Sequence, residues 1–426
     1  MRILTLTNLY PNPYQPQRGT FNRQQLRGLA AAHQVRVISP LAWTDELPAR
    51  WRTGTRMPCG RRSKLDGISV EYPQYFYPPK CFRACYGDCY AACVRPTFNR
   101  LLADSRPDII YAPWTYPDGW AAVQLGHAAG LPVVIKVHGS DFLLLDEYPA
   151  RRGRTLEALK AADGIIAVSA DLRRRMIQAG IDGSKIEVIY DGVDRDMFCP
   201  GSCDEARTQL GVASAARVIL FIGNLVKVKG IDVLIEAFGL LQSDCPDAIC
   251  YLIGHGKLRR SLERQIKKKQ LGAKIRLLGG RPHAELPNWY RAADLFVLPS
   301  HSEGVPCVLL EAAACGTPFV ASSVGGIPEI SHLGSNRLVP PGDPQMLRDA
   351  MQQMLSDPLP SQSTNTECVR DMSAAVAQIE NCLLRVLSGQ RGIADHDGEA
   401  VNLDQFSPAQ CSRADSALVS SSNITD

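Results

Sequence analysis

No stretch of the 426-residue chain approaches the ~18 consecutive apolar residues that a membrane-crossing helix requires. The opening residues 1–6 meet Asn8 and Pro11 too soon to form the core of an export signal, so the chain is expected in the cytosol. Charge of one sign is scarce too. With 47 Lys and Arg against 43 Asp and Glu the balance is +4, which argues against a dedicated nucleic-acid binder. The 34 Gly and 29 Pro are spread rather than massed, and 45% hydrophobic with 21% charged residues is ordinary globular usage, so collagen, coiled coil and wholesale disorder are excluded. There is no C-x-x-C pair; fourteen cysteines scattered through a long chain without an export signal are expected to be mostly free thiols.

What the chain does have is length for two or three full domains. Short β-branched runs alternate with amphipathic helical stretches, the pattern of parallel α/β layers. One set of strands is predicted at 2–6, 35–39, 108–112, 133–137, 165–169 and 187–190, and a second at 217–222, 248–253, 275–278, 295–298, 318–321 and 337–339. Helices such as 231–241 and 258–271 separate the second set. Two Rossmann-like doubly wound domains follow, at 1–195 and 196–368, with a connection over 194–216 marked by Pro200, Gly201 and Ser202 and a cleft opening beside it. Beyond a polar loop at 356–368, residues 369–388 read as a closing helix. Residues 389–426 hold six acidic and two basic residues with few large apolar ones, which predicts a disordered acidic tail. The glycosylation pattern at Asn423 in that tail is a chance match. Cys81, Cys85, Cys89 and Cys93 would form one helical stripe; lacking a familiar ligand set, and interleaved with Phe82, Tyr86, Tyr90 and Val94, they read as small core-facing thiols rather than a metal or redox cluster.

Residues 300–318, SHSEGVPCVLLEAAACGTP, carry the most chemistry. The grammar is strand, turn, helix, strand: Pro306 suits a first helical turn, and Gly316 with Pro318 closes the helix. Glu311 has Cys307, Val308, Ala314 and Cys315 as helical neighbours, so its carboxylate is not on a watered face and needs a ligand hydroxyl pair or a cation opposite. Glu303 lies in the turn just past the strand's carboxyl end, where ligands bind in open α/β sheets. Gly304 and the helix start behind it suit a phosphate. Two carboxylates around one anion site suggest a sugar nucleotide; an ordinary helix-start acid is the simpler alternative for Glu303 alone. Gly223, Asn224, Lys227, Lys229 and Gly230 form a second strand-to-helix crossing with two point charges for a diphosphate, and Gly254-His-Gly256 falls at the same sheet edge. In the front domain His138 and Gly139 follow a buried strand, and Gly19 precedes a helix beginning near Phe21. A structural histidine and an ordinary helix entry are the alternatives there.

These residues together resemble the retaining family 4 glycosyltransferases of the GT-B fold, over about residues 1–355. The resemblance rests on Glu303-GVPCVLL-Glu311, Val324-GGIP-Glu329, Ile189-YDGV-Asp194, Lys229-Gly230, Gly254-His-Gly256 and His138-Gly139. Pro11-Asn-Pro13, Arg18-Gly-Thr-Phe and Gly223-Asn-Leu-Val are similar to the polysaccharide branch that includes teichuronic acid biosynthesis enzymes. The resemblance implies that Glu303 contacts the donor sugar, that backbone of Gly304, Val305, Pro306 and Cys307 holds phosphate or sugar oxygens, and that Glu311 binds ribose. It implies that Lys229 neutralises the diphosphate leaving group, that His138 touches the sugar near the reacting carbon, and that Gly19 sits beside the phosphates. It further implies retention of configuration, a nucleotide-diphosphate sugar as co-substrate with no metal, and a glycan or lipid-linked acceptor. Asp194-Arg-Asp196 has metal-motif spacing but lies in the connection.

Three departures stand out. Asn224 replaces an Arg common in relatives, with Lys227 as the compensating charge; no aromatic precedes the closing helix near Met372, Ser373 and Ala374; and Leu333 to Arg337 lacks a second glycine. Sugar-nucleotide epimerases, phosphorylases and a non-catalytic sugar-nucleotide binder share the fold and stay as alternatives. Residues 1–110 hold 16 Lys and Arg against 7 Asp and Glu. Arg50, Arg52, Arg56, Arg61, Arg62 and Lys64, with Arg173, Arg174 and Arg175, suggest reversible docking on the cytoplasmic face of an anionic membrane, or simply a solvated surface.

Overall fold

The structure, a computed structural model, describes residues 1–78, 85–147, 149–356 and 369–390. Cys81, Phe82, the polar loop from 357 on and the tail beyond 390 lie outside the described residues. Before the connection come β1 (Arg2–Leu6), β2 (Gln34–Ile38), β3 (Leu41–Ala42), β4 (Arg62–Leu65), β5 (Ile68–Glu71), β6 (Gln74–Tyr75), β7 (Ile109–Ala112), β8 (Val133–Val137), β9 (Gly164–Ala167) and β10 (Ile186–Val188). After it come β11 (Arg217–Ile222), β12 (Ala248–Ile253), β13 (Ile275–Gly279), β14 (Leu295–Leu298), β15 (Phe319–Ser322) and β16 (Asn336–Val339). The front sheet runs β10-β9-β8-β7-β1-β2-β5-β4 and the rear sheet β13-β12-β11-β14-β15-β16. β3 and β6 pair separately. All pairs are parallel except β4 with β5. Central strands such as Val133–Val137 and Leu295–Leu298 are buried throughout because helices cover both faces, which is why they read as unbroken apolar runs.

The predicted strands are present within one or two residues. The hairpin β4–β5 is an addition. Its turn is Asp66-Gly67, with positive φ at both residues (52° and 79°), the backbone a tight two-residue hairpin needs.

The closing helix Met372–Leu387 starts at Asp371, whose carboxylate caps the Ser373 N–H, and returns to the front half. Val376, Ile379, Cys382 and Leu383 pack with Leu26, Leu29, Ile3 and Val35. Gly28 makes the approach possible, since a Cβ there would come 2.7 Å from Val376. Aliphatic packing therefore holds the closing helix on the front half, with no aromatic needed at its start. Val193 and residues 370–372 are stitched by two backbone bonds, Val193 N–H to Arg370 (3.0 Å) and Met372 N–H to Val193 (2.9 Å). The turn without a second glycine is closed by Asn336, whose amide donates to the carbonyls of Ser331, Leu333 and Gly334.

One expectation is corrected. The helix Tyr86–Asp104 buries Tyr90 and Val94 rather than the thiols: Cys85 is exposed and Cys89 and Cys93 are half-buried. All eleven described cysteines are free, and among the described residues no group of three His, Cys, Asp or Glu could hold a metal. Part of the basic run is paired within the protein. Arg61 forks onto the buried Glu46 (2.9 and 2.8 Å), Arg62 lies 3.6 Å from Glu71, and Arg174 and Arg175 both pair with Asp171. No described helix is long and apolar enough to cross a membrane.

Candidate active site

In the rear sheet the strand order reverses between β11 and β14, and the crevice outside their carboxyl ends is where an open α/β sheet takes ligands. The loop after β11 runs through Gly223 and Asn224 into a tight turn, Lys227–Lys229, before the helix Ile231–Leu241. The loop after β14 carries Ser300 and Glu303 and leads to the helix Cys307–Ala314. The two loops are tied by the His301 N–H donating to the Val228 carbonyl at 2.7 Å. Across them Lys229 Nζ donates to Glu303 Oε1 at 2.6 Å, and Ser300 Oγ donates to the same oxygen at 2.6 Å. Asn224 and Lys227 are exposed on that loop. Gly254 backs onto Gly223, and His255 Nε2 accepts the Gly280 N–H at 3.0 Å, so the ends of β12 and β13 complete the rim.

Pro306 stands immediately before the helix as its capping residue rather than in its first turn. Glu311 is buried at 7% exposure, and the partner it demands comes from the protein. Tyr290 OH donates to one carboxylate oxygen at 2.8 Å and His283 Nε2 lies 2.9 Å from the other. Expecting only a ligand or cation there was too narrow, because neither His283 nor Tyr290 shares Glu311's helix.

The front half brings its own loop to the same place. β8 ends at Val137; the Asp141 carboxylate then accepts the N–H groups of His138 (3.0 Å), Gly139 (2.9 Å) and Thr115 (3.2 Å). Burial raises that carboxyl to about 6. A Cβ on Gly139 would come 2.6 Å from Gly304 N, and one on Gly304 2.3 Å from the His138 carbonyl, so only paired glycines let the loops touch. His138 is flanked by Phe21 and Trp114 (ring centroids 4.8 and 6.3 Å). Burial and then the nearby Lys136 lower its pKa to about 3, so the ring is neutral at physiological pH. Its Nε2 is buried without a hydrogen-bond partner among the described residues. Gly19 (φ 61°) precedes the helix Thr20–Ala30 and lies so close to the Leu9 carbonyl that a Cβ would sit 2.1 Å from its oxygen. That helix begins at Thr20, one residue before the predicted start, and Thr20 and Phe21 open onto a cavity of about 240 Å³, also lined by Asp191, His283, Cys307 and Glu311.

Two groupings escaped the sequence reading. Lys136, fully buried in β8, donates to Asp191 at 2.5 Å and to Gln25 at 3.1 Å, and Asp191 Oδ2 lies 4.0 Å from His138 Nδ1. A lysine inside an apolar strand is the signal that would have found it. Glu329, from the rear half, accepts the first-turn N–H groups of the front-half helix Ala170–Gln178, Ala170 at 2.8 Å and Asp171 at 2.7 Å, together with Tyr190 OH at 2.7 Å. This clasp holds the Gly325-Gly326 loop, which packs on Glu303 and Gly304, against the front half. Glu329→Ala is expected to lower kcat about tenfold and Glu329→Gln less, because loosening three charge-assisted bonds misaligns groups contributed by the two halves; initial rates at saturating donor measure it. Asp194 accepts the Met197 N–H at 3.1 Å, so the first acid of that pair in the connection caps a turn.

Two family models match this chain: Glycosyltransferase Family 4 over residues 19–197 and Glycosyl transferases group 1 over residues 203–370. A Bacillus subtilis protein assigned as the teichuronic acid biosynthesis glycosyltransferase TuaC is 31% identical over 363 residues, 82% of this chain and 88% of that protein. The chain belongs to the family 4 glycosyltransferases. A D-inositol 3-phosphate glycosyltransferase of Catenulispora acidiphila is 31% identical over 282 residues, 62% of this chain and 67% of its own length. Among solved structures, the sucrose-phosphate synthase of Thermosynechococcus elongatus superposes with a TM-score of 0.76 at 21% identity, covering 92% of this chain and 100% of that one. Anabaena HepE in complex with UDP and glucose superposes at 0.69 and 23% identity, covering 90% and 99%. Both share the fold with this glycosyltransferase: GT-B, two Rossmann-like sheets about a cleft.

Proposed function

We propose that this glycosyltransferase moves a hexose from a nucleoside diphosphate donor, with retention of configuration, to a glycan or lipid-linked acceptor in surface polysaccharide assembly. The observation that carries it is the meeting of the two halves at one point: His138-Gly139 against Glu303-Gly304, with Lys229 on Glu303. Glu303 takes both protein donors on Oε1, which leaves its other oxygen for a sugar hydroxyl. The neutral His138, with Nε2 unpartnered, suits a hydrogen bond to the sugar rather than proton delivery from an imidazolium. The N–H groups of Gly304, Val305 and Cys307, with Gly19 across the cleft, face the diphosphate, and Glu311 takes the ribose hydroxyls. In the step itself the bond from the anomeric carbon to the phosphate oxygen breaks, the acceptor oxygen bonds to that carbon from the same face, and the acceptor proton passes to the departing diphosphate. Lys229 stabilises the charge that grows there. No resident metal enters this reading. The teichuronic acid relative supports the polysaccharide assignment, and the neighbour solved with UDP and glucose supports the donor class.

Calorimetric titration with UDP and with GDP tests the donor site. One of them is expected to bind the wild type; Glu311→Ala is expected to weaken it at least about tenfold by removing hydrogen bonds to a charged group. Lys227→Ala weakens binding less, as an exposed point charge standing in for the absent arginine. Failure of a folded wild type to bind either nucleotide overturns the donor assignment.

A further inference from the structure

The front sheet has a crevice of its own. Its strand order reverses between β1 and β7, so the loops leaving the carboxyl ends of those neighbouring parallel strands part from each other there, where an open α/β sheet takes a ligand. The donor groups occupy the equivalent point of the rear sheet. The two front loops are joined by the fully buried Asp118, which accepts the Asn8 N–H at 3.0 Å and the Tyr90 hydroxyl at 2.5 Å. The loop after β1 is internally braced. Asn12 Oδ1 accepts the N–H groups of Tyr14 and Gln15 (both 3.0 Å), the Arg18 N–H donates to the Gln15 carbonyl (3.1 Å), and Gly19 closes the loop onto Leu9. That frame holds the Arg18 side chain half-buried, with Nη1 on Gln15 Oε1 at 2.7 Å and Nε buried without a partner. Among the described residues no other arginine has a buried nitrogen left unmatched, and no carboxylate lies within ion-pair distance of this one. Asp118 feels its charge, but burial raises that carboxyl to about 7, so at neutral pH it is only about half ionised.

Trp114 stands on the other loop, two residues beyond β7. Thr115 fixes it: the Thr115 N–H and hydroxyl donate to the Asp141 carboxylate and carbonyl (3.2 and 3.0 Å), and the same carboxylate orders the His138 loop. The half-buried indole therefore lies beside the His138 ring, with centroids 6.3 Å apart and planes 28° from parallel. His138, Trp114 and Arg18 thus follow β8, β7 and β1, three adjacent strands, in a row that starts where the two halves meet. An indole beside a guanidinium suits a ring that carries a charge. The apolar aromatic face covers the C–H face of a sugar, and the planar fork pairs with a carboxylate or a phosphate. A neutral sugar would leave Arg18 Nε unmatched. We infer that the front crevice binds the acceptor through a sugar ring on Trp114 and an anionic substituent of that sugar, a carboxylate or a phosphate ester, on Arg18. Such a subsite rests on the transfer reading above and gives the acceptor a charge.

Methyl glucoside, methyl glucuronide and methyl glucoside 6-phosphate differ only at C6, as neutral, carboxylate and phosphate. Calorimetric titration of the full chain with these and the matching galactosides, with and without UDP or GDP, tests the subsite. An anionic probe is expected to bind at least about thirtyfold more tightly than its neutral counterpart, and which anion does so separates a uronic acid from a sugar phosphate. Arg18→Gln is expected to bring that probe within about threefold of the neutral one while nucleotide binding keeps its wild-type value. Trp114→Ala is expected to weaken neutral and anionic probes alike, by about tenfold, and to keep their ratio. Saturation with the anionic probe is expected to change the tryptophan fluorescence of the wild type but not of Trp114→Phe. Thermal unfolding checks that each variant is folded. Titration without nucleotide separates the two assignments: a chain that binds an anionic sugar but neither nucleotide fails as a donor site and keeps the front subsite. Equal binding of neutral and anionic probes by the wild type, or binding of none, overturns the subsite. So does an Arg18→Gln protein that loses nucleotide binding about tenfold with its preference among the sugars intact, which would give the guanidinium to the donor diphosphate.

Discussion

Lys229→Ala is expected to lower kcat by about 10²–10³ while changing donor KM far less. In the free protein Lys229 already holds an anion, Glu303, at 2.6 Å. Binding a diphosphate therefore exchanges one negative partner for a share in two, and the net gain in the ground state is small. Charge on the departing phosphate grows only as the sugar bond breaks, and there nothing on the loop equals the half-buried ammonium: the other lysine, Lys227, is exposed and its charge screened by water, and Asn224 is neutral. Interactions strengthened only in the transition state appear in kcat. Initial rates of nucleoside diphosphate release, with the donor base chosen by the titration above, measure both constants. Because Lys229 and Glu303 are in contact, Lys229→Ala with Glu303→Ala is expected to lose much less than the product of the single losses. A multiplicative double mutant would mean that the two groups act independently and that their ion pair is incidental.

The parts of this site that are legible in the sequence share a cause. Strands buried on both faces announce themselves as β-branched runs, and the loops at their carboxyl ends are where Glu303, Lys229, Gly254 and His138 fall, so one rule about sheet edges gathers them before any coordinates. Helical spacing likewise puts Glu311 among Cys307, Val308 and Cys315 and says that it is buried. What spacing cannot supply is the identity of a partner from another element. His283 and Tyr290 reach Glu311 from 28 and 21 residues away, and Glu329 reaches Ala170 across 159. Those pairings depend on how layers stack, a tertiary property. The hairpin at Asp66-Gly67 is different, for its turn signal is local, and it was missed because the flanking runs are short and half polar. The helix after Cys85 shows a further limit. A four-residue recurrence of thiols beside an equally periodic set of tyrosine and valine leaves the inward face undecided, and the larger side chains take it because they bury more area.

Lys136 gives the other large effect. Its side chain is fully buried in β8, and its ammonium is matched by Asp191, which is 4% exposed. Lys136→Met leaves the Asp191 carboxylate buried with the Gln25 amide, at 2.8 Å, and the weak Cys307 thiol, at 3.9 Å, as donors, and is expected to cost about 3–5 kcal/mol in urea unfolding at pH 7. Lys136→Met with Asp191→Asn removes both charges and is expected to recover most of that loss, since a buried ion pair adds little net stability over neutral groups of similar size. The pair also acts on His138, whose pKa is lowered by burial and by Lys136 and raised by Asp191. In the wild type the folded ring stays neutral down to about 3, whereas in the unfolded chain it takes up a proton below about 6.5. The unfolded state therefore binds more protons across that window, and this group costs stability progressively as pH falls from 6.5 toward 3. With Lys136 gone and Asp191 kept, the folded His138 pKa climbs and that acid-side loss shrinks. The penalty of Lys136→Met is thus expected to be smaller at pH 5 than at pH 7, and an acid limb is expected to enter its rate profile at a pH where the wild type is flat. On the proposed reaction Lys136 would serve at one remove: burial first, and then a charge placed in the core of a strand, hold the histidine beyond its end neutral, which would leave Nε2 for the sugar.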